Sequence, residues 1–218
     1  DADALLEARA TANLGAIAHF EGDLDGALSA YRRAIAAYMR LGHVRGLAEC
    51  WHNIAISLRD RGDLDLADDA DRRAAEQARE CGDDRLAAMA LVGRAEVALR
   101  RNDAAWAVAA ALRGARTFEA LGDRKLAADA QRVAADAHAR MGSFALAESL
   151  IVQAMATARE GGHAMQEAEV LRTRAEMAWR RGDMATARRE GYRAREQFAA
   201  LGARGDAQRL DAWLDTFD

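Results

Sequence analysis

Apolar residues in this chain fall at helical spacing, in blocks broken at regular intervals by a glycine and a polar residue. Gly22-Asp23 returns as Gly62-Asp63, Asn102-Asp103, Gly142-Ser143 and Gly182-Asp183, each step being 40 residues. A second series, Gly42, Gly82, Gly122, Gly162 and Gly202, interleaves with the first at the same step. Two breaks per period leave room for two helices of roughly 15 to 18 residues each. Glycine just past a helix adopts the left-handed conformation that closes the last turn. Asn102 stands in that place once, and asparagine is the next most tolerant residue there. The Asp or Ser that follows is a helix N-cap, its side-chain oxygen accepting a bond from a free backbone N–H of the next helix. The pattern therefore predicts five helix–turn–helix units over 6–45, 46–85, 86–125, 126–165 and 166–205.

Three columns of small residues run through these units. Ala27, Ala67, Ala107, Ala147 and Ala187 form one in the second helices, and Ala34, Ala74, Gly114, Ala154 and Ala194 another. Gly15, Ala55, Ala95, Ala135 and Ala175 form the third, in the first helices. Small residues let helices approach closely, and no single pair can bury its apolar face alone, so the units must stack into one domain over 1–218. The segment 206–218 leaves the pattern. Leu210, Trp213, Leu214 and Phe217 give it an apolar stripe, which predicts a helix capping the last unit or, failing that, an exposed docking helix.

Composition narrows the function classes. The 218 residues contain no proline, which suits long helices and disfavours a turn-rich sandwich or barrel. Thirty-one basic against 35 acidic residues give a net charge of −4, which argues against nucleic acid as the main partner. No apolar run is long enough to span a membrane, and no signal peptide is visible, so a cytoplasmic setting and no membrane partner are expected. Cys50 and Cys81 form no metal motif and read as small buried residues in a reducing compartment. A start at Asp1 rather than methionine is what a piece of a longer protein would show. No end cap is evident before Leu6, so oligomerisation through the N-terminal end is a further expectation.

The order Leu14-Gly15, Gly22-Asp23, Ala27, Tyr31 and Ala34 resembles the tetratricopeptide repeat, and Trp51, Ile54 and Ala55 continue the resemblance in the second unit. The period is longer than that family's usual 34 residues and lacks its closing proline. This looks like the extended variant of bacterial regulators and kinesin light chains. Arg94 and Arg174 replace the family's leucine in later units. The resemblance spans residues 6–205. It implies an all-α, right-handed superhelical solenoid of five such repeats plus a C-terminal capping helix, with the first helix of each pair lining a concave groove.

Counting from the small column gives the residues that would line that groove. They include Asn13, His52, Asn53, Arg59, Glu96, Arg100, Arg132, Asp136, Arg172, Glu176 and Trp179. The first two repeats offer amides, histidines and apolar groups. The last three offer acids flanked by arginines: Glu96–Arg100, Asp136–Arg140 and Glu176–Arg180 at i, i+4, extended by Arg132–Asp136 and Arg172–Glu176. Such pairs stabilise an exposed helix by about 0.2–0.5 kcal/mol each, and equally form a ladder for a peptide carrying both signs. In peptide-binding members of the family an asparagine at the position of Asn13 and Asn53 bonds the ligand backbone, and an amide can both donate and accept there. The alternative is a helix-surface asparagine. The family's chaperone-tail clamp would need basic residues where this chain has Ala12, Met89 and Gly93.

The five histidines show no metal-ligand spacing. His43 and His163 follow turn glycines and are expected to be solvated. No Ser/His/Asp set, phosphate loop or cofactor motif is visible, so neither an enzyme nor a cofactor is expected. The leading expectation is a scaffold that binds a protein, a peptide or a linked domain of its own polypeptide. A small-ligand sensor with a pocket from Phe20, His52 and Trp179 and a purely structural oligomerisation module are the alternatives.

Overall fold

The computed structural model describes residues 2–217 as helices joined by tight turns, with no strand among them. The helices are α1 (Ala2–Glu21), α2 (Leu24–Leu41), α3 (Val44–Arg61), α4 (Leu64–Glu80), α5 (Asp84–Arg100), α6 (Ala104–Ala120), α7 (Arg124–Arg140), α8 (Phe144–Glu160), α9 (Ala164–Arg180), α10 (Met184–Ala200) and α11 (Arg204–Leu214). A single 3-10 turn, Asp215–Phe217, follows α11. The helix pairs thus begin a few residues before the frame counted from Leu6, and the capping helix begins at Arg204 rather than Asp206.

The punctuation behaves as its chemistry requires. Every turn between consecutive helices holds one residue at positive φ, a glycine in nine cases and Asn102, at 62°, in the remaining one. At Gly62 the closure is typical: its N–H donates to the Arg59 carbonyl at 3.1 Å, and the Asp63 N–H reaches the Leu58 carbonyl at 2.9 Å. Orphan carbonyls of the last turn are satisfied this way without side chains. Asp23, Asp103 and Asp183 then cap the next helix through their carboxylates, whereas Asp63 and Ser143 make no side-chain cap bond. His43 is not simply solvated. It is half-buried, its Nδ1 accepts the Gly46 N–H at 2.9 Å, and its ring stacks on Tyr38.

The chain forms two compact units, Asp1–Asn102 and Asp103–Asp218. In the first, Leu28, Tyr31, Tyr38, Ile54 and Leu58 pack around the alanine columns. Gly15 is where the Tyr31 ring crosses α1, since a Cβ there would lie 2.8 Å from Tyr31 Cε1. In the second unit Ile151, Leu171 and Phe198 form the centre, and α11 completes it with buried Leu210 and Leu214. Fully burying two leucines contributes about 1.5–3 kcal/mol each, enough to hold α11 as the cap that its apolar stripe predicts. Gly191 on α10 leaves the space into which Leu214 fits. Cys50 is buried as expected, and burial pushes its thiol up to about 12. Cys81, at the end of α4, is exposed instead, because it sits on the solvent side of the turn before Gly82.

Candidate functional site

The first helices of the first unit, α1, α3 and α5, pack side by side, which brings equivalent columns 40 residues apart into register. Asn13 on α1 is exposed and Asn53 on α3 is half-buried. Among the described residues neither side-chain amide has a hydrogen-bond partner. Asn53 contributes only its backbone carbonyl, which accepts from Ser57 Oγ at 3.2 Å.

His52, counted to the same face, turns inward. It is 8% exposed, and its Nδ1 lies 2.8 Å from Oδ1 of Asp71 on α4, a carboxylate that is itself 1% exposed. Burial pushes the Asp71 carboxyl above its ordinary range, while His52 and Arg59 pull it back. The physical reason for the inward turn is this carboxylate: a buried charge needs a partner, and the imidazole supplies it. Gly93 on α5 makes the room, since a Cβ there would stand 2.2 Å from Asp71 Oδ2. Gly93 therefore serves the interior rather than an open groove.

The charged residues of this unit link neighbouring helices. Arg59 pairs with Glu96 across α3 and α5. Arg100 reaches back from α5 to Asp60 Oδ1 at 3.2 Å and to the Arg59 carbonyl at 2.8 Å. Arg59 Nε lies 3.7 Å from the same Asp60 oxygen, and His19 Nε2 on α1 lies 3.6 Å from Oδ2. Asp60, whose side chain is 7% exposed, is thus the centre of a network joining α1, α3 and α5. Arginine spans the gap between helices and satisfies a carboxylate there, so the ladder read along each helix is also a ladder across helices.

The same network contains a Ser/His/Asp grouping that the primary structure hides, because its members come from two helices. His19 Nδ1 lies 3.1 Å from Ser57 Oγ. Ser57 is fully buried, and its hydroxyl already donates to the Asn53 carbonyl. A nucleophile must be reachable and unencumbered, and this hydroxyl is neither.

In the second unit, Arg132 and Asp136 are each 7% exposed, so both are interior rather than groove-lining side chains. Arg132 Nε donates to Asp129 at 2.9 Å and its guanidinium approaches Thr173 Oγ1 on α9 at 3.5 Å. Asp136 is held by Arg140 through three contacts of 3.0–3.1 Å, the expected i, i+4 pair in forked form. Arg172 departs from expectation: it pairs with Glu169 and lies 3.5 Å from Asp206 on α11, so its reach is toward the cap. Arg180 Nε is buried, 3.8 Å from Asp136 Oδ1 and with no hydrogen-bond partner among the described residues. Glu176 faces both. Burial and the nearby Asp136 push its carboxyl upward, against Arg172, Arg140 and Arg180. Trp179 is 44% exposed with the Arg180 guanidinium 5.8 Å from its ring centre.

Counting columns along the first helices gives no sign of two acids, Asp71 and Asp206, that organise these side chains. Asp71 had a signal, since its column otherwise reads Tyr31, Ala111, Ile151 and Gly191. Asp206 lies outside the repeat. Among the described residues no three His, Cys, Asp or Glu side chains gather as a metal site would need, and no helix is long and apolar enough to cross a membrane.

Solved structures decide the fold. A Rap protein complexed with competence and sporulation factor superposes with a TM-score of 0.72 at 16% identity, over 97% of this chain and 64% of its own. The fold is tetratricopeptide-like. A second such match is the Rap conjugation gene regulator of plasmid pLS20 with the Phr* peptide, with a TM-score of 0.70 at 15% identity over 96% of this chain and 63% of its own. The tetratricopeptide-like repeats of a kinesin light chain from Podosopora anserina match with a TM-score of 0.59 at 12% identity, over 88% of this chain and 95% of theirs. The chain spans just under two thirds of the length of these Rap proteins. No family model and no curated protein matches the sequence.

Proposed function

We propose that this tetratricopeptide-like chain is a non-catalytic scaffold that binds a protein or peptide on the face of its first helices, within a bacterial signalling or transcription-control protein. The observation that carries this is the pair Asn13 and Asn53. Equivalent amides stand one repeat apart on packed helices with their hydrogen-bonding capacity unspent, whereas the charged residues around them are committed to one another. A free amide offers one donor and one acceptor to an extended backbone, and a ligand crossing both would be held in register. Arg59, Glu96 and Arg100 form the rigid charged floor beside it in the first unit. The two Rap structures hold a sporulation factor and a Phr* peptide, which is the class of ligand this reading assigns here. The partner is a peptide, a protein or a linked domain, and the net charge of −4 makes nucleic acid a poor candidate.

Selection of a displayed random-peptide library on the chain tests this. Enriched peptides should lose about tenfold or more in affinity on Asn13→Ala with Asn53→Ala, the size expected from two lost hydrogen bonds. Equal binding by a double variant with unchanged circular dichroism refutes the site. Stabilisation by a sugar without any peptide enrichment would replace the scaffold with a small-ligand sensor.

A further inference from the structure

The second unit contains a pocket of about 220 Å³ at the junction of α8, α9 and α10. It shares no residue with the first-helix face. Phe144 and Met177 give it apolar wall, while Arg174, Arg181 and Arg189 bring three guanidinium groups against one carboxylate, that of Glu148. Two of these charges, on Arg174 and Arg181, are unspent, and the 40-residue period shows the contrast with earlier repeats. Eighty residues earlier, Arg94 occupies the place of Arg174, and its Nε donates to Asp68 at 2.7 Å. The place of Asp68 is taken here by Glu148, yet Arg174 makes no ion pair or hydrogen bond among the described residues. Arg181 has the same history. Arg61 pairs with Asp25 and Arg101 with Asp65, both 36 residues back, but the residue 36 before Arg181 is Ala145. Arg181 acts on Asp183 only through space. Arg189 is held at the rim by the buried Glu190 carboxylate at 3.1 Å and lies 3.4 Å from the Thr186 hydroxyl. The unit α6–α7–α8 shows no such site, for it has Ala134 and Met141 where α9 has Arg174 and Arg181.

We propose that this pocket binds an oxyanion, a carboxylate or phosphoryl group, carried on a short peptide segment with an adjacent apolar side chain. Arg174 and Arg181 supply the forked donors, which suit a planar or tetrahedral oxyanion better than an ammonium group would. Arg189 and the Thr186 hydroxyl complete the polar rim, and Phe144 and Met177 take the apolar neighbour. The volume suits one or two side chains rather than a folded domain. The net positive lining repels a basic segment and leaves an amide or alcohol without its charge-assisted bonds.

The test uses fluorescence anisotropy with three labelled, alanine-flanked peptides: Glu-Leu-Glu, phosphoserine-Leu-phosphoserine and neutral Gln-Leu-Gln. One or both acidic peptides should saturate, at least about tenfold tighter than the neutral one, and the tighter of them names the oxyanion. Arg174→Ala with Arg181→Ala should abolish that binding. Ala145→Asp restores the acid that Arg61 and Arg101 have, at an exposed site in the first turn of α8 where aspartate is favourable, and should weaken binding severalfold with the fold intact. The proposal is overturned if acidic and neutral peptides bind alike, if no peptide saturates up to about 1 mM, or if either variant binds as the parent does. None of these outcomes bears on Asn13 and Asn53, so the first-helix reading stands or falls separately.

Discussion

Glycine inside a helix is ordinarily a weakness, and replacing it with alanine stabilises the helix by about 1 kcal/mol. Gly93, in the interior of α5, should do the opposite. The added Cβ would stand 2.2 Å from Asp71 Oδ2 and 3.0 Å from its Cγ. The carboxylate cannot step aside without lengthening its 2.8 Å contact with His52, and both partners are buried. Overpacking a tight site costs about 1–3 kcal/mol, and disturbing a buried charged hydrogen bond costs about 1.5–3 kcal/mol. After the helix gain of about 1 kcal/mol is subtracted from the two together, Gly93→Ala should destabilise the chain by about 1.5–5 kcal/mol. With Asp71→Ala already in place the obstruction is gone, and the same substitution should stabilise by about 1 kcal/mol. The coupling between the two positions is therefore about 2.5–6 kcal/mol. Urea denaturation of the parent, the two single variants and the double variant, followed by far-ultraviolet circular dichroism, measures it. The repeat contains a natural precedent, for forty residues on the corresponding positions are Ala111 and Val133, both fully buried. Stabilisation by Gly93→Ala in both backgrounds would refute the reasoning, because the carboxylate would then be free to move.

Three further outcomes follow from other sites. Asn102→Gly should raise stability by a few tenths to about 1 kcal/mol, and Asn102→Ala should lower it by about 1 kcal/mol, because only the first relieves the residue at φ 62°; thermal melts read both. Native protein should label at Cys81 alone with a thiol reagent at neutral pH, since Cys81 is exposed while burial pushes the buried Cys50 up to about 12; labelling of both thiols without denaturant would contradict this packing. Glu176 has its folded carboxyl raised above the ordinary 4.5, so its contribution is full below that value and is lost as pH rises through the folded value. Glu176→Gln removes that loss, and its stability relative to the parent should increase as pH rises above the ordinary glutamate range, which denaturation at a series of pH values checks.

The fold was legible because its signals are local. A glycine or Asn102 at positive φ can be recognised without knowing what packs on it, and the alanine columns repeat those marks at fixed distance. Side-chain direction was less legible. A column count places His52 and Asn53 one step apart on α3, but only the position of Asp71 on α4 decides that His52 faces inward. Arg132 and Arg172 share a column and an acid three residues back, yet only the second also reaches Asp206, which lies on α11 and belongs to no repeat. The arginine pocket needed comparison of partners as well as positions, because Arg94 and Arg174 look alike until Asp68 is seen bonded to the first.

The alanine columns have a consequence for inheritance. Ala27, Ala67, Ala107, Ala147 and Ala187 are all at 0% exposure, with helices pressed on every side. A single-base change in an alanine codon yields Gly, Ser, Thr, Pro, Val, Asp or Glu. All but glycine enlarge the side chain where no space exists, several bury a polar group as well, and glycine itself loosens the helix. Nearly every amino-acid change available in one step at these positions is therefore harmful, and drift has little room there. The exposed residues of the first helices carry no such constraint. A lineage of such chains should keep its alanines while its recognition surfaces diverge, so new partners can be acquired without renegotiating the architecture.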